Sequence, residues 1–325
     1  AYVVRLIDGV PEVVDRVAAR GFVIRQLGVE CEDDALAALS GADAVVAAVP
    51  ERIVRLVAGL AQRLGIHHLD FSGVRATGVS ASPPGAPGPA VLPASGVSPG
   101  LVDDIVAEVV DRYDFIDELV VRVGAIPSKP VGRLGYADIW DIDGLVAEYT
   151  RPADVIIAGR KRSVPALSGH EILQWNGATF EAFVTADGSH ALVDLCRGKV
   201  ADATVKTIRH PGHLDHMLFL LDELGLRRRL DFLRNLLRNA LPCAEDDMVL
   251  IHVTVRGRVG GEAREETISH VIRSLPSRSG APAPSAWARG AAANAADLLD
   301  ALAAGRPIAP FSVRRSSGRL KSVLT

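Results

Sequence analysis

The chain is poor in several features, and each shortage excludes a class of protein. It has three cysteines, Cys31, Cys196 and Cys243. The set is odd, widely spaced and without C-x-x-C, which argues against a disulfide framework or a structural zinc and fits a reducing cytosol. Neither charge is in excess: Lys+Arg 36 against Asp+Glu 39 leaves a net charge of −3. That balance excludes a strongly basic nucleic-acid binder or a membrane-surface protein. No apolar run approaches the ~18 residues needed to cross a bilayer, and no basic-then-apolar leader is present. Nor does the sequence contain G-x-G-x-x-G, the loop whose backbone approaches a pyrophosphate.

What remains is a soluble, core-rich chain, expected to be cytoplasmic. Its 325 residues, 48% hydrophobic and 23% charged, predict about two domains at roughly 150 residues each. The first hundred residues alternate strand and helix. Residues 2–7 read as a strand ending at Asp8–Gly9. Val10, Val13, Val14 and Val17 then recur at helical spacing between Pro11 and Gly21. Strand 22–27, helix 33–39 and a continuous, buried strand at 42–50 follow. Ile53, Leu56, Val57, Leu60 and Leu64 form one helix face, stopped by Gly65, before a strand at 66–71. This alternation predicts a Rossmann-like parallel sheet covered by helices. Past the Pro/Gly-rich loop at 82–89, strands at 118–124, 154–157, 179–185, 204–209 and 247–256 predict a mixed sheet. Helices are expected near Gly212, over 229–240 and in the Ala-rich stretch 286–305.

Ligands of a parallel sheet bind beyond the carboxyl ends of its strands. That singles out Asp8, Val49–Pro50 and the Asp70–Ser72 turn. Asp8 has two readings, a carboxylate for an adenosine ribose or a cap for the helix behind it. The richest segment is KTIRHPGH, Lys206–His213. On a strand, Thr207 and Arg209 face one way and Lys206 the other. Arg209 either offers a planar fork to a substrate carboxylate or braces a strand–helix corner. His213 opens a helix whose positive end disfavours imidazolium, which makes it a candidate proton acceptor. His210, His213 and His216 with Asp215 lack the spacing of a metal site, and no metal is expected. In EAFVTADG, alternation puts Glu181, Phe183, Thr185 and Asp187 on one face. Tyr136 and Trp140 are aromatics in GYADIWD. Ser95 lies in SGVSPG, a loop of the kind that binds anions at a helix start.

In this order, SGVSPG, Tyr136 with Trp140, the pair Glu148–Tyr149, RSVPALSGHE, EAFVTADG and KTIRHPGH resemble the saccharopine dehydrogenase-like superfamily. The closest resemblance is to its lysine 6-dehydrogenase branch, and it covers most of the chain. The resemblance implies a discontinuous dinucleotide-binding domain (1–100 and 286–325) around an α+β substrate domain (101–285), in a homodimer. It implies NAD or NADP, with Asp8 on the ribose and Val49, Pro50 and Ser72 alongside. The implied reaction is oxidation or reduction at a carbon–nitrogen bond of an amino acid or related amine. Arg209, Thr185, Lys206 and Ser95 would bind that substrate, His213 would move the proton, and Tyr136 or Asp187 would assist. Three departures stand out: the glycine-rich first unit is not in this sequence, Ser95 stands where many relatives have Cys, and the loop between Asp70 and Ser95 is unusually rich in Pro and Gly. Either that first unit lies upstream of Ala1 or cofactor binding has been lost. The second case sets up a rival expectation of cofactor-free acid/base chemistry on a biosynthetic intermediate, or of binding alone.

Overall fold

In a computed structural model of the chain, the structure describes residues 3–19, 23–28, 31–73, 78–83, 86–139, 141–186, 195–196, 198–244, 246–275, 284–306 and 323–324. They form two compact units. One holds the described residues up to Gly96 and those from Leu298 to 306; the other is chiefly those from Val97 to Asp297. The division therefore runs through the C-terminal helix.

The first unit is the expected strand–helix alternation: β1 (Leu6–Asp8), α1 (Pro11–Ala18), β2 (Ile24–Gln26), α2 (Glu32–Leu39), β3 (Ala44–Ala47), α3 (Glu51–Leu64), β4 (His67–Asp70) and β5 (Val91–Leu92). Every ladder is parallel, but the sheet is in two pieces. β1 pairs with β2, and β3, β4 and β5 pair in that order; among the described residues no ladder joins the two sets. The amphipathic α3 buries Val54, Val57, Leu60 and Ala61. It ends where Gly65 adopts the left-handed conformation (φ +65°) that a side chain resists. The strand expected to be continuous and buried is short and half-covered. Ala47 is buried in β3, but Val46 is exposed, whereas His68, Leu69 and Asp70 of the central β4 are all buried.

The second unit is built on an eight-stranded mixed sheet. Its order is β13 (Glu262–Arg273), β12 (Asp247–Val259), β6 (Phe115–Pro127), β11 (Val200–Arg209), β10 (Ala178–Val184), β9 (Glu171–Trp175). β7 (Ala153–Ile157) joins β11 and carries β8 (Arg160–Val164). Only β6 and β11 run parallel to each other; the remaining ladders are antiparallel. Alternation along β6, β11 and β12 puts Val121, Val123, Val205, Val249, Ile251 and Val253 on one face. That face packs on α4 (Leu101–Arg112) and the start of α8 (Ala286–Ala303). Asp247 fixes that start, its two carboxylate oxygens accepting the Ala286 N–H at 2.9 and 3.0 Å. Farther along, Phe183 of β10 packs with α5 (Ile142–Thr150), α6 (His213–Leu218) and α7 (Leu230–Ala240) in a second core.

Gly124 of β6 lies against Ile208 of β11. A Cβ there would meet the Ile208 Cβ at 2.7 Å and its carbonyl carbon at 3.0 Å. A side chain cannot replace it without parting the two strands.

Candidate functional site

Three local structures bring the site of the second unit together. β11 ends in Arg209, and the chain turns at Pro211–Gly212 into α6, with Gly212 at φ +90°. Glu181 of β10, almost fully buried, holds that turn. Its carboxylate accepts the backbone N–H of Gly212 at 3.1 Å and of Leu214 at 2.7 Å, satisfying helix-start donors that would otherwise be buried unpaired. α5 begins because Asp141 accepts the N–H groups of Asp143 (3.2 Å) and Gly144 (2.8 Å). Ile142, Leu145, Val146 and Tyr149 give α5 its buried stripe, while Glu148 falls beside it.

A cleft on this face is lined by Glu148, Thr185, Thr207 and Arg209, with Gly124 and Trp287 among its walls. The Thr185 and Thr207 hydroxyls are 2.7 Å apart. Arg209 is 2% exposed. Its Nε donates to the Tyr149 hydroxyl (2.7 Å), its Nη1 donates to the Ile208 carbonyl (2.9 Å), and its Nη2 pairs with Glu148 at 3.8 Å. The guanidinium lies over the Tyr136 ring, 4.9 Å from its centre, a cation–π contact in a dry setting.

Behind Arg209 sits His213, fully buried. Its Nε2 is 2.9 Å from the Tyr149 hydroxyl and its Nδ1 is 2.9 Å from the Leu134 carbonyl. Phe183 stacks on the ring, and Tyr136 and Tyr149 meet it edge-on. Burial, with the Arg209 charge next, pushes the imidazole down to about 3. Burial also raises the Tyr149 hydroxyl well above its ordinary value.

The residues expected at the site are thus distributed unevenly. Arg209 and Thr185 line the cleft, and Tyr136 supports Arg209 from below. His213 is not among the lining residues: its one accepting nitrogen faces Tyr149, so it stands a layer behind the surface where a substrate proton would be. Lys206 points to the opposite face of β11. There it pairs with Glu171 at 3.3 Å beside Arg122, which also holds Glu171. Period-two alternation puts it there, and it takes no part in the cleft. Asp187 and Trp140 lie outside the described residues. Ser95 belongs to the first unit, buried, its hydroxyl donating to the Leu92 carbonyl.

The cofactor candidates are also in the first unit. Asp8 closes β1, and its Oδ1 accepts the Val10 N–H at 2.8 Å. This bond precedes α1 and does not cap the helix from the N-cap position, which Val10 occupies. Pro50 is the N-cap of α3, preceded by the half-buried Val49. Ser72 donates its N–H to the Asp70 carboxylate, which also meets His68 at 3.0 Å. Among the described residues no group of three or more His, Cys, Asp or Glu is placed to hold a metal ion. No described helix is long and apolar enough to cross a membrane.

Two residues of the site were quoted in the sequence without a role, Tyr149 and Glu148. The signal for Tyr149 was present: a capped segment, DIDGLVAEYT, with apolar positions at helical spacing that end on it.

The profile of the saccharopine dehydrogenase C-terminal domain family matches residues 96–310, about two thirds of the chain. The chain belongs to the saccharopine dehydrogenase-like superfamily. Its fold is similar to that of apo saccharopine dehydrogenase (L-Glu forming) from Saccharomyces cerevisiae. The TM-score is 0.76 at 13% identity, over 98% of this chain and 89% of the other. It is also similar to the homospermidine synthase of Legionella pneumophila, solved with NAD. That match has a TM-score of 0.61 at 12% identity, over 98% of this chain and 82% of the other. At these identities the likeness is one of fold.

Proposed function

We propose that this superfamily member is an oxidoreductase acting at a carbon–nitrogen bond of an amino acid or related amine, as in the lysine 6-dehydrogenase branch, and that it works as a homodimer. One observation carries the reading: the cleft sets a buried guanidinium and a carboxylate side by side, Arg209 and Glu148 at 3.8 Å. A ligand bearing both a carboxylate and an amine matches that pair. The fork of Arg209 takes the carboxylate in bidentate fashion. Glu148 takes the amine and is the group placed to accept its proton. Thr185 and Thr207 supply hydroxyls that donate or accept as the ligand requires.

The superfamily implies a nicotinamide dinucleotide, and the residues present fit part of one. Asp8 at the end of β1 suits a ribose. A carboxylate in that role closes the strand that follows the glycine loop, and this sequence does not include that loop. The fit of the residues present is therefore to the ribose end alone. A second reading, acid/base chemistry at Glu148 without hydride transfer, rests on the same Arg209–Glu148 pair.

The experiment follows absorbance at the nicotinamide band with NAD or NADP and a panel of amino acids and diamines, in wild type and in Arg209→Lys. Reduction with one panel member, abolished or sharply weakened in Arg209→Lys, supports the first reading. Binding of a panel member without reduction supports the second. A panel that binds equally to both proteins overturns the role of Arg209 in either.

A further inference from the structure

We propose that His213 is a positioning residue: through Tyr149 it sets the direction of the hydrogen-bond chain that holds the Arg209 guanidinium on the cleft wall. The inference rests on the clamp reading of Arg209 for its consequence, though not for its geometry.

Donor and acceptor logic fixes the direction. The Leu134 carbonyl only accepts, so the His213 Nδ1 facing it at 2.9 Å carries the hydrogen. In a neutral ring Nε2 is then bare and accepts from the Tyr149 hydroxyl at 2.9 Å. With its hydrogen turned toward His213, Tyr149 presents oxygen lone pairs to Arg209. The Arg209 Nε–H donates to that oxygen at 2.7 Å. The chain therefore runs Arg209 to Tyr149 to His213 to Leu134, each link donating to the next. The opposite tautomer breaks it at both ends. Nε2–H and Arg209 Nε–H would then both point at one hydroxyl oxygen, the hydroxyl hydrogen would lose its acceptor, and the Leu134 carbonyl would face a lone pair.

The ring is also held against rotation. Phe183 lies parallel to it at 6.3 Å, and Tyr136 and Tyr149 meet it edge-on at 5.4 and 5.7 Å. Among the described residues, the charged and titratable groups acting on it are Arg209, His210 and His216, with Tyr136 and Tyr149 against the ring. His210 and His216 are engaged with the Pro127 and Gly212 carbonyls, so neither competes for Nε2.

The test uses the full chain labelled with nitrogen-15. Long-range correlation spectra of wild type should show Nδ1 protonated and Nε2 bare for His213 between pH 5.5 and 8.5. A protonated Nε2 in that range overturns the proposal without any variant. His213→Leu removes the acceptor and His213→Gln restores one through Oε1. In His213→Leu, and equally in Tyr149→Phe, the Arg209 Nε–H signal should move and exchange with solvent at least about tenfold faster. His213→Gln should return it toward wild type. Exchange unchanged in His213→Leu refutes the relay. Acetate, used as a minimal carboxylate, should bind about five- to thirtyfold more weakly to His213→Leu, the scale of one lost buried bond. Should wild type bind no acetate, the clamp reading fails, while tautomer and exchange still decide the relay.

Discussion

A buried neutral imidazole makes the stability of this protein fall on acidification, by an amount the structure sets. In the folded chain His213 titrates at about 3 against an ordinary 6.5. Between those values the unfolded chain holds a proton that the folded chain does not, so lowering the pH favours unfolding. The contribution of His213 is complete above about pH 6.5 and is lost progressively as the pH drops toward 3. At pH 5 the unfolded form is protonated about thirtyfold over neutral, which corresponds to about 2 kcal/mol; at pH 7 the effect is close to zero. Burial also lowers His210, His252 and His270, and these push the same way. A difference between two proteins isolates His213. Urea unfolding at pH 7, 6 and 5 should show wild type losing about 2 kcal/mol more than His213→Gln over that interval. Equal losses would mean that His213 is solvated or already charged in the folded state, and the reasoning about its tautomer would fall with it. The same burial predicts that no limb of a pH–rate profile between 5 and 8 belongs to His213.

Other perturbations test the framework around it. Glu181→Ala strands the N–H groups of Gly212 and Leu214 and should cost about 2–4 kcal/mol in urea unfolding, with Glu181→Gln recovering part of it. Gly124→Ala drives a methyl into Ile208 and should cost about 2 kcal/mol or more; a thermal midpoint equal to wild type would contradict the close approach of β6 and β11. Leu233→Ala, fully buried in the core under α7, should cost about 2–4 kcal/mol, while Phe232→Ala beside it, mostly exposed, should stay within about 0.5 kcal/mol.

How much of this was legible in the sequence depends on which physical signal each residue carried. Period-two alternation separated Arg209 and Thr207 from Lys206 without a structure, yet the resemblance led Lys206 to be expected at the substrate, where the structure instead pairs it with Glu171 on the opposite face. The strands β8 and β13 went unread because their sequences, RKRSV and EAREETISHVIR, are largely exposed and carry little apolar periodicity. His213 was read from the polarity of its helix start. Its actual environment is set by Tyr149, 64 residues away in sequence, and by Phe183 on another strand. No local pattern encodes that meeting. The two pieces of the parallel sheet were likewise invisible, since pairing between strands is a property of the fold.

The immobility of Arg209 has a consequence for the thermodynamics of whatever enters the cleft. A free arginine side chain carries about 2 kcal/mol of rotamer entropy. Here Tyr149, Ile208, Glu148 and the Tyr136 ring have already removed that freedom. Association therefore escapes the ordering cost of about 0.5–1.5 kcal/mol that a mobile side chain imposes on a ligand. The cost falls instead on the folding of the second unit. Ligand affinity and the stability of α5, β11 and α6 are in this way coupled quantities. A change that loosens these elements weakens binding without touching a ligand atom, and the loss is entropic in origin.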